Sequence, residues 1–187
     1  VGAYAAGIFH LYTHAFFKAL LFLAAGSVIH AVHTNDIQEM GGLKKYLPIT
    51  YAVMLIGGLA NAAVPPFAGF FSKETIIEAA RVSTTPGHWF AYACVLACAY
   101  VTALYTFRLI FYAFHGKERF DTTGAHHDDH PQGGHDHGHG GVPHESPWVV
   151  TVPLILLAIP SVSAGWVVGG MVFGDYFKDA KIWPGVV

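Results

Sequence analysis

Three titratable residues, His10, His14 and Lys18, recur at intervals of four within an otherwise apolar stretch. On an α-helix this spacing puts them within an arc of about 80° on one face, over about 12 Å of the axis. Imidazole titrates near pH 6.5, and a histidine can accept a proton on one ring nitrogen and release one from the other. The pattern is typical of a proton relay, in which water molecules bridge successive titratable residues about 6 Å apart along the helix. The alternative is three buried polar groups that only fix helix packing.

A second constellation lies at a predicted break in a helix. The Pro65-Pro66 pair lacks two amide donors and obstructs the preceding turn, so a continuous helix cannot pass through it. Irregular backbone at membrane depth is tolerated only where it is buried in protein or lines a cavity, and discontinuous helices mark ion sites in transporters. We expect Ser72 to cap the second half-helix, with Lys73 and Glu74 in its first turn. The alternative is a kinked helix whose Lys73 extends to the membrane interface.

The composition indicates that these titratable groups belong to a membrane protein. Hydrophobic residues make up 53% of the chain and charged residues 12%, about half the share in soluble domains, and the mean hydropathy is +0.44. Such a composition excludes a disordered chain, a nucleic-acid-binding protein and an ordinary water-soluble enzyme. The net charge of −2 gives no reason to expect a polyanionic partner.

The apolar stretches predict an all-α polytopic membrane helix bundle with about four transmembrane helices, the second of them discontinuous. A bilayer core needs about 20 apolar residues per helix, and these runs do not alternate as barrel strands do. The predicted helices cover about 3–29, 48–80 with a break near 65–69, 88–114 and 148–173. They form a single membrane domain over 1–187, which we expect to be a fragment of a longer protein. A slight excess of basic residues favours a cytoplasmic position for the loops 30–48 and 115–147.

The sequence predicts no metal ligands and no cofactor-binding residues. The His-rich loop 115–147 lacks the rigid ligand spacing of a metal site, so we expect a solvated loop. Cys94 and Cys98 lie on one helix face and are expected to be buried small residues without a disulfide or iron–sulfur role. No Gly-x-Gly-x-x-Gly motif follows a predicted strand.

Three segments resemble one known family. Residues 7–23 (GIFHLYTHAFFKALLFL) are similar to the antiporter-like membrane subunits of proton-pumping NADH:quinone oxidoreductase, respiratory complex I. Residues 65–74 (PPFAGFFSKE) resemble the broken helix of the same subunits. Residues 144–148 (HESPW) and the helix after them resemble the large subunits of the bacterial L type. The resemblance extends over nearly the whole chain.

This resemblance implies a proton-translocating membrane subunit that relays protons along buried His and Lys residues, coupled to quinone reduction. It implies that His10, His14 and Lys18 are relay residues and that Lys73, with Glu74 beside it, carries the proton on the exit side. The chain would act as part of a translocase enzyme without a redox centre of its own. FMN, the iron–sulfur clusters, NADH and the quinone would be handled by other subunits. Its partners would be other membrane subunits of the complex and the lipid bilayer, in the bacterial inner membrane.

Two other functions compete with this interpretation. The large subunit of a multi-subunit sodium/proton antiporter shares the same membrane core and would exchange protons for sodium without NADH. A metal-sensing or structural membrane protein would instead use the His-rich loop as its active part. That third hypothesis predicts that deleting residues 126–141 abolishes function while Lys18 and Lys73 can be replaced.

Overall fold

The computed structural model describes residues 3–120 and 142–173, which form a bundle of five α-helices. Their bounds are α1 Tyr4–Val32, α2 Pro48–Asn61, α3 Ala68–Val82, α4 His88–Phe114 and α5 Trp148–Phe173. The described residues contain no β-strand, and three helices are long and apolar enough to cross a membrane: α1, α4 and Trp148–Met171 of α5. The predicted all-α membrane helix bundle is therefore confirmed. The greater part of the His-rich loop, residues 121–141, lies outside the described residues.

Helix α1 is the centre of the bundle and packs against α2, α3 and α5, while α4 packs against α2 and α3. Its buried positions follow the three- and four-residue spacing of one helix face: Ala6, Phe9, Thr13, Phe17, Leu20, Ala24, Ser27 and Val28. His10, His14 and Lys18 are half-buried at the edge of this face. The face therefore carries an apolar centre with a polar border.

An apolar core fills the end of the bundle that carries the loops 33–47 and 115–120. Leu20 and Val28 of α1 meet Met54 of α2, Ile110 of α4 and Leu154 of α5, all at most 2% exposed. Burial of each such side chain contributes about 1.5–3 kcal/mol relative to exposure to water, and close packing provides the stabilisation within lipid. The centre of this end of the bundle is therefore apolar and buried.

The two loops at this end contact each other outside the helices. Lys45 and Glu118 form an exposed ion pair, and Tyr46 donates a hydrogen bond to the same carboxylate over 3.2 Å. The hydrogen bond from Lys45 lowers the pKa of the Glu118 carboxyl, so the pair remains ionised at neutral pH. An exposed pair of this kind orients the loops but contributes little stability.

The discontinuous second span consists of α2 and α3, separated by residues 62–67. Ala63 adopts a left-handed backbone conformation with φ 58°, and Val64 precedes two prolines, which disfavour helical geometry at the residue before them. Helix α3 starts at Ala68, so Ser72 lies inside it and does not cap it as the sequence suggested. Lys73 and Glu74 consequently lie in the second turn, and the first turn contains no acidic residue.

Two further features of the helices differ from or extend the sequence analysis. Cys94 and Cys98 are exposed on α4 in the described part of the chain, not buried, because they lie on the face turned away from α2 and α3. Helix α5 continues through Pro153 and Pro160 without ending. Hydroxyl groups nearby, including that of Ser161, donate to carbonyls of the preceding turn.

The close approach of α3 to α2 depends on Gly69. A Cβ atom at this position would overlap the carbonyl group of Ala60 in the last turn of α2, and that backbone cannot move aside as a side chain could. Gly69→Ala should therefore destabilise the subunit by about 1–3 kcal/mol, the range for overpacking a well-packed site.

The thermal stability of the detergent-solubilised full-length subunit measures this effect. Gly26→Ala is the matched control, because nothing lies within 4 Å of a Cβ at that helical position. Equal stability of the two variants would contradict the close approach described for Gly69.

Candidate functional site

The break brings Lys73 back to the end of α2. The ammonium of Lys73 donates a hydrogen bond to the main-chain carbonyl of Asn61 over 2.5 Å. Asn61 is the last residue of α2, and the last carbonyls of a helix have no partner within it and carry the negative end of its dipole. An ammonium group placed there satisfies one of these carbonyls, and the carbonyl compensates the half-buried charge.

Helix α4 holds Asn61 in place. The buried Asn61 side-chain amide donates to the Thr106 hydroxyl over 2.8 Å and to the Tyr105 hydroxyl over 3.3 Å. Thr106 in turn donates to the carbonyl of Thr102 one turn earlier. The position of the carbonyl that binds Lys73 is therefore set by a polar contact between two helices.

Lys18 of α1 approaches the same region from the other side. Its charge acts on the Tyr105 hydroxyl. Lys18 and Lys73 are also close enough to repel each other when both are charged. Tyr105 is thus linked to both lysines, electrostatically to Lys18 and by its hydrogen bond with Asn61 to Lys73.

A buried pair of hydroxyl groups joins α1 to α3 beside His10. Thr13 and Ser72 are both fully buried, and the Thr13 hydroxyl donates to the Ser72 hydroxyl over 2.9 Å. The Nδ1 atom of His10 lies 3.0 Å from the same Ser72 oxygen. These three side chains form a direct polar contact between α1 and α3.

The Ser72 hydroxyl can serve His10 in either protonation state. When Nδ1 is unprotonated, Ser72 donates to it; when Nδ1 carries a proton, Ser72 accepts it and can turn its own hydrogen toward the carbonyl of Gly69, 3.5 Å away. His10 therefore keeps a hydrogen-bond partner when its Nδ1 proton is gained or lost. That property suits a relay histidine better than a purely structural one.

The structure brings four of the five predicted site residues into one electrostatic group. The rings of His10 and His14 lie 5.6 Å apart between centroids, and Phe17 packs edge-on against His14 at 5.3 Å. Charges on Lys18 and Lys73 act on His14, and that on Lys73 also acts on His10. Adding or removing a proton at one of these groups therefore changes the energy of the others.

Glu74 lies apart from this group. Its side chain is exposed, and it forms no hydrogen bond or ion pair with any residue of 3–120 or 142–173. Because it follows Lys73 directly, it projects about 100° away around α3.

The site includes polar residues that the sequence analysis did not assign: Thr13, Asn61, Tyr105 and Thr106. Thr13 follows His10 by three residues and lies on the buried face, a signal that could have been read from the helical period. Tyr105 and Thr106 carry no comparable signal, because their role depends on how α4 packs. Within residues 3–120 and 142–173, no group of three His, Cys, Asp or Glu side chains could hold a metal ion.

The Ser72 contact generates a stability prediction. Ser72→Ala removes the buried partner of His10 and leaves the Thr13 hydroxyl with only the His10 main-chain carbonyl, 3.1 Å away, which costs about 1–3 kcal/mol. Ser163→Ala is the control, because the exposed Ser163 hydroxyl donates only to a carbonyl of its own helix. Thermal unfolding of the solubilised subunit should separate the two variants by several degrees, and identical curves would show that the bridge does not hold α1 and α3 together.

Comparison with known proteins gives a consistent result. The model of the family described as NADH:quinone oxidoreductase/Mrp antiporter, transmembrane, matches residues 1–102. The chain is 54% identical over 180 residues to NADH-quinone oxidoreductase subunit L of Neisseria meningitidis serogroup A, covering 95% of this chain and 27% of that protein. It is 46% identical over 186 residues to subunit L of Rhodobacter capsulatus, covering 93% and 24%.

More distant relatives share the same region. The chain is 43% identical over 195 residues to NAD(P)H-quinone oxidoreductase chain 5 of Synechocystis, covering 88% of this chain and 28% of that one. Among solved structures, it is similar to the membrane-bound sulfane sulfur reductase, an archaeal respiratory membrane complex, with a TM-score of 0.68 and 27% identity over 86% of this chain and 23% of that chain. The chain thus spans about a quarter of the length of the curated relatives it matches.

Proposed function

We propose that this chain, which belongs to the NADH:quinone oxidoreductase/Mrp antiporter transmembrane family, is part of a proton-translocating membrane subunit of NADH:quinone oxidoreductase. Relatives named subunit L, at 46–54% identity, support this choice within the family. The whole subunit would be about four times as long as this chain, so pumping requires segments beyond it.

The observation that carries the proposal is the contact of Lys73 with the carbonyl end of α2, inside an apolar bundle and in electrostatic range of Lys18. A lysine in hydrocarbon costs about 2.5–3.5 kcal/mol on insertion scales, and two such groups in one site are difficult to explain as packing alone. Their mutual repulsion gives each lysine an influence on the proton of the other.

In the proposed mechanism, this repulsion moves protons in sequence. A proton that reaches Lys18 raises the energy of the charged Lys73, which promotes release of the proton from Lys73. Once Lys73 is neutral, the Asn61 carbonyl retains a weaker N–H donor and the site can accept the next proton. His10 and His14 extend the relay along α1, with Ser72 adjusting its hydrogen bond to the state of His10. Water molecules would connect groups that are too far apart for direct transfer.

The remaining assignments follow from the same premise. The chain would operate as part of an enzyme whose NADH oxidation and quinone reduction, with FMN and iron–sulfur clusters, belong to other subunits. The predicted multi-pass membrane location is supported by the apolar helices, and the bacterial inner membrane is proposed from the bacterial relatives. Glu74 is proposed as a polar neighbour of Lys73 on the exposed side of α3.

The mechanism predicts that Lys73 must release its proton, not merely be positive. Lys73→Arg keeps a cation that can bind the Asn61 carbonyl, but a guanidinium stays charged at all working pH values. In proteoliposomes containing the complete complex, this variant should lower the number of protons translocated per NADH oxidised, with Lys73→Ala having a comparable effect.

Lys45→Ala is the matched control, because Lys45 is exposed and pairs only within the loops at one end of the bundle. An unchanged ratio of protons to NADH in Lys73→Arg would contradict the proposed role of Lys73. Proton exchange that depends on sodium and proceeds without NADH would favour the multi-subunit antiporter instead.

A further inference from the structure

Helix α2 has no N-terminal cap from its own sequence neighbourhood. Its N-cap residue is Leu47, whose side chain cannot accept a hydrogen bond, and Pro48 at the first helical position has no N–H group. The first amides that need an acceptor are therefore those of Ile49 and Thr50. In most helices a Ser, Thr, Asp or Asn at the N-cap fills this role.

Glu145, which lies 95 residues later in the chain than Thr50, supplies the missing acceptor. One carboxylate oxygen accepts from the amide of Ile49 over 2.8 Å and from the amide of Thr50 over 3.3 Å. The other oxygen accepts from the Thr50 hydroxyl over 2.5 Å. The cap of α2 thus comes from the segment that leads into α5.

A chain of hydroxyl groups extends from this carboxylate into the bundle. Ser27 of α1 lies 3.1 Å from the Thr50 hydroxyl and 2.5 Å from the Ser146 hydroxyl, and Ser27 and Thr50 are 4% and 0% exposed. Because Thr50 gives its single hydrogen to Glu145, Ser27 must donate to Thr50 and Ser146 to Ser27. The carboxylate therefore orients all three hydroxyls and ties α1, α2 and the start of α5 together.

The opposite end of α2 holds Lys73. Helix α2 has 14 residues and is about 21 Å long, with a carboxylate at its N-terminus and an ammonium at its C-terminal carbonyl. Both charges match the helix dipole. Gly57 and Gly58, in between, offer only backbone to the neighbouring side chains, so α1 and α4 pack directly against the α2 backbone there. Val53 and Met54 of α2 are buried in the apolar core, and α2 therefore behaves as one firmly packed element.

We propose that Glu145 is a positioning residue for Lys73: by capping α2 and anchoring its N-terminus to α1 and α5, it sets where the Asn61 carbonyl meets the Lys73 ammonium. The inference rests on the proposed function, because it treats Lys73 as the proton carrier. Glu145 lies at the end of the bundle opposite to the break and does not touch Lys73. It acts through α2 as a rigid element.

Glu145→Ala and Glu145→Gln in the complete complex test this proposal. In Glu145→Ala, hydrogen exchange at the amides of Ile49 and Thr50 should increase about two- to thirty-fold, the effect of losing a helix cap. Acylation of Lys73 by a membrane-permeant, amine-reactive acylating reagent, quantified by mass spectrometry, should also increase as the contact between Lys73 and the Asn61 carbonyl loosens. The pH profile of NADH-driven proton uptake should be displaced by about 0.2–0.7 pH unit, the size of a helix-terminus charge interaction.

Glu145→Gln separates charge from capping and covers the case in which the alanine variant does not assemble. Its amide oxygen can still accept from the two backbone amides, while its NH₂ group forces the hydroxyl chain to reverse, with Thr50 donating to Ser27 and Ser27 to Ser146. Exchange at Ile49 and Thr50, Lys73 acylation and the pH profile should all stay near their unmodified levels, because the cap and the anchor of α2 are retained. A displaced pH profile with unchanged exchange in this variant would contradict positioning through the cap. Glu118→Gln is the control, because that exposed carboxylate bonds only to loop residues.

The inference is wrong if exchange at Ile49 and Thr50 increases in Glu145→Ala while Lys73 acylation and the pH profile match those of Glu118→Gln. Glu145 would then be a local cap without influence on Lys73. Failure of the proposed function looks different: Lys73→Arg would translocate protons normally, whereas the response of Lys73 acylation to Glu145→Ala does not depend on whether Lys73 carries protons.

Discussion

An ammonium group inside a hydrophobic bundle needs an acceptor that stays in place, and the interrupted second span provides one. A continuous helix would use the Asn61 carbonyl for its own next turn. Because the chain turns at residues 62–67, that carbonyl is left free and accepts from Lys73. The break is therefore what allows the Asn61 carbonyl to bind Lys73, and packing in the rest of the bundle stabilises the break. Gly69 permits the two half-helices to approach, and α4 fixes Asn61 by its side chain.

The location of the polar groups explains why they remain responsive. The two histidines and Lys18 lie at the border of the buried face of α1, and Lys73 lies on the neighbouring α3, beside an apolar core of close-packed side chains. Each has a neutral partner or neighbour, such as Ser72 or the Asn61 carbonyl, and is not neutralised by a carboxylate within the described residues. A carboxylate in direct contact would favour the charged state strongly. Neutral dipoles satisfy the groups while leaving both protonation states accessible.

Periodicity and proline chemistry made the main elements predictable from sequence. The four-residue spacing of His10, His14 and Lys18 indicated one helix face, and the Pro65-Pro66 pair indicated the discontinuity. The predicted start of α3 was wrong, because it relied on Ser72 being a favourable capping residue by type. The helix begins at Ala68 instead, and Ser72 contacts α1. The acceptor for Lys73 could not be predicted, because a backbone carbonyl has no signature in the sequence. Nor could the cap on α2, which comes from a residue about 95 positions away.

The two charged ends of α2 also suggest how distant parts of the subunit influence each other. Between Glu145 and Lys73 lie apolar side chains such as Leu20, Val53 and Met54, so the described residues offer no polar side-chain path from one to the other. The backbone of α2 itself is the connection: a carboxylate stabilises its positive end and an ammonium its negative end. Because α2 is one short helix, a displacement of its N-terminus along the axis also moves the Asn61 carbonyl at its other end. A segment at the surface of the bundle can therefore act on a lysine at the other end of α2 across an apolar core.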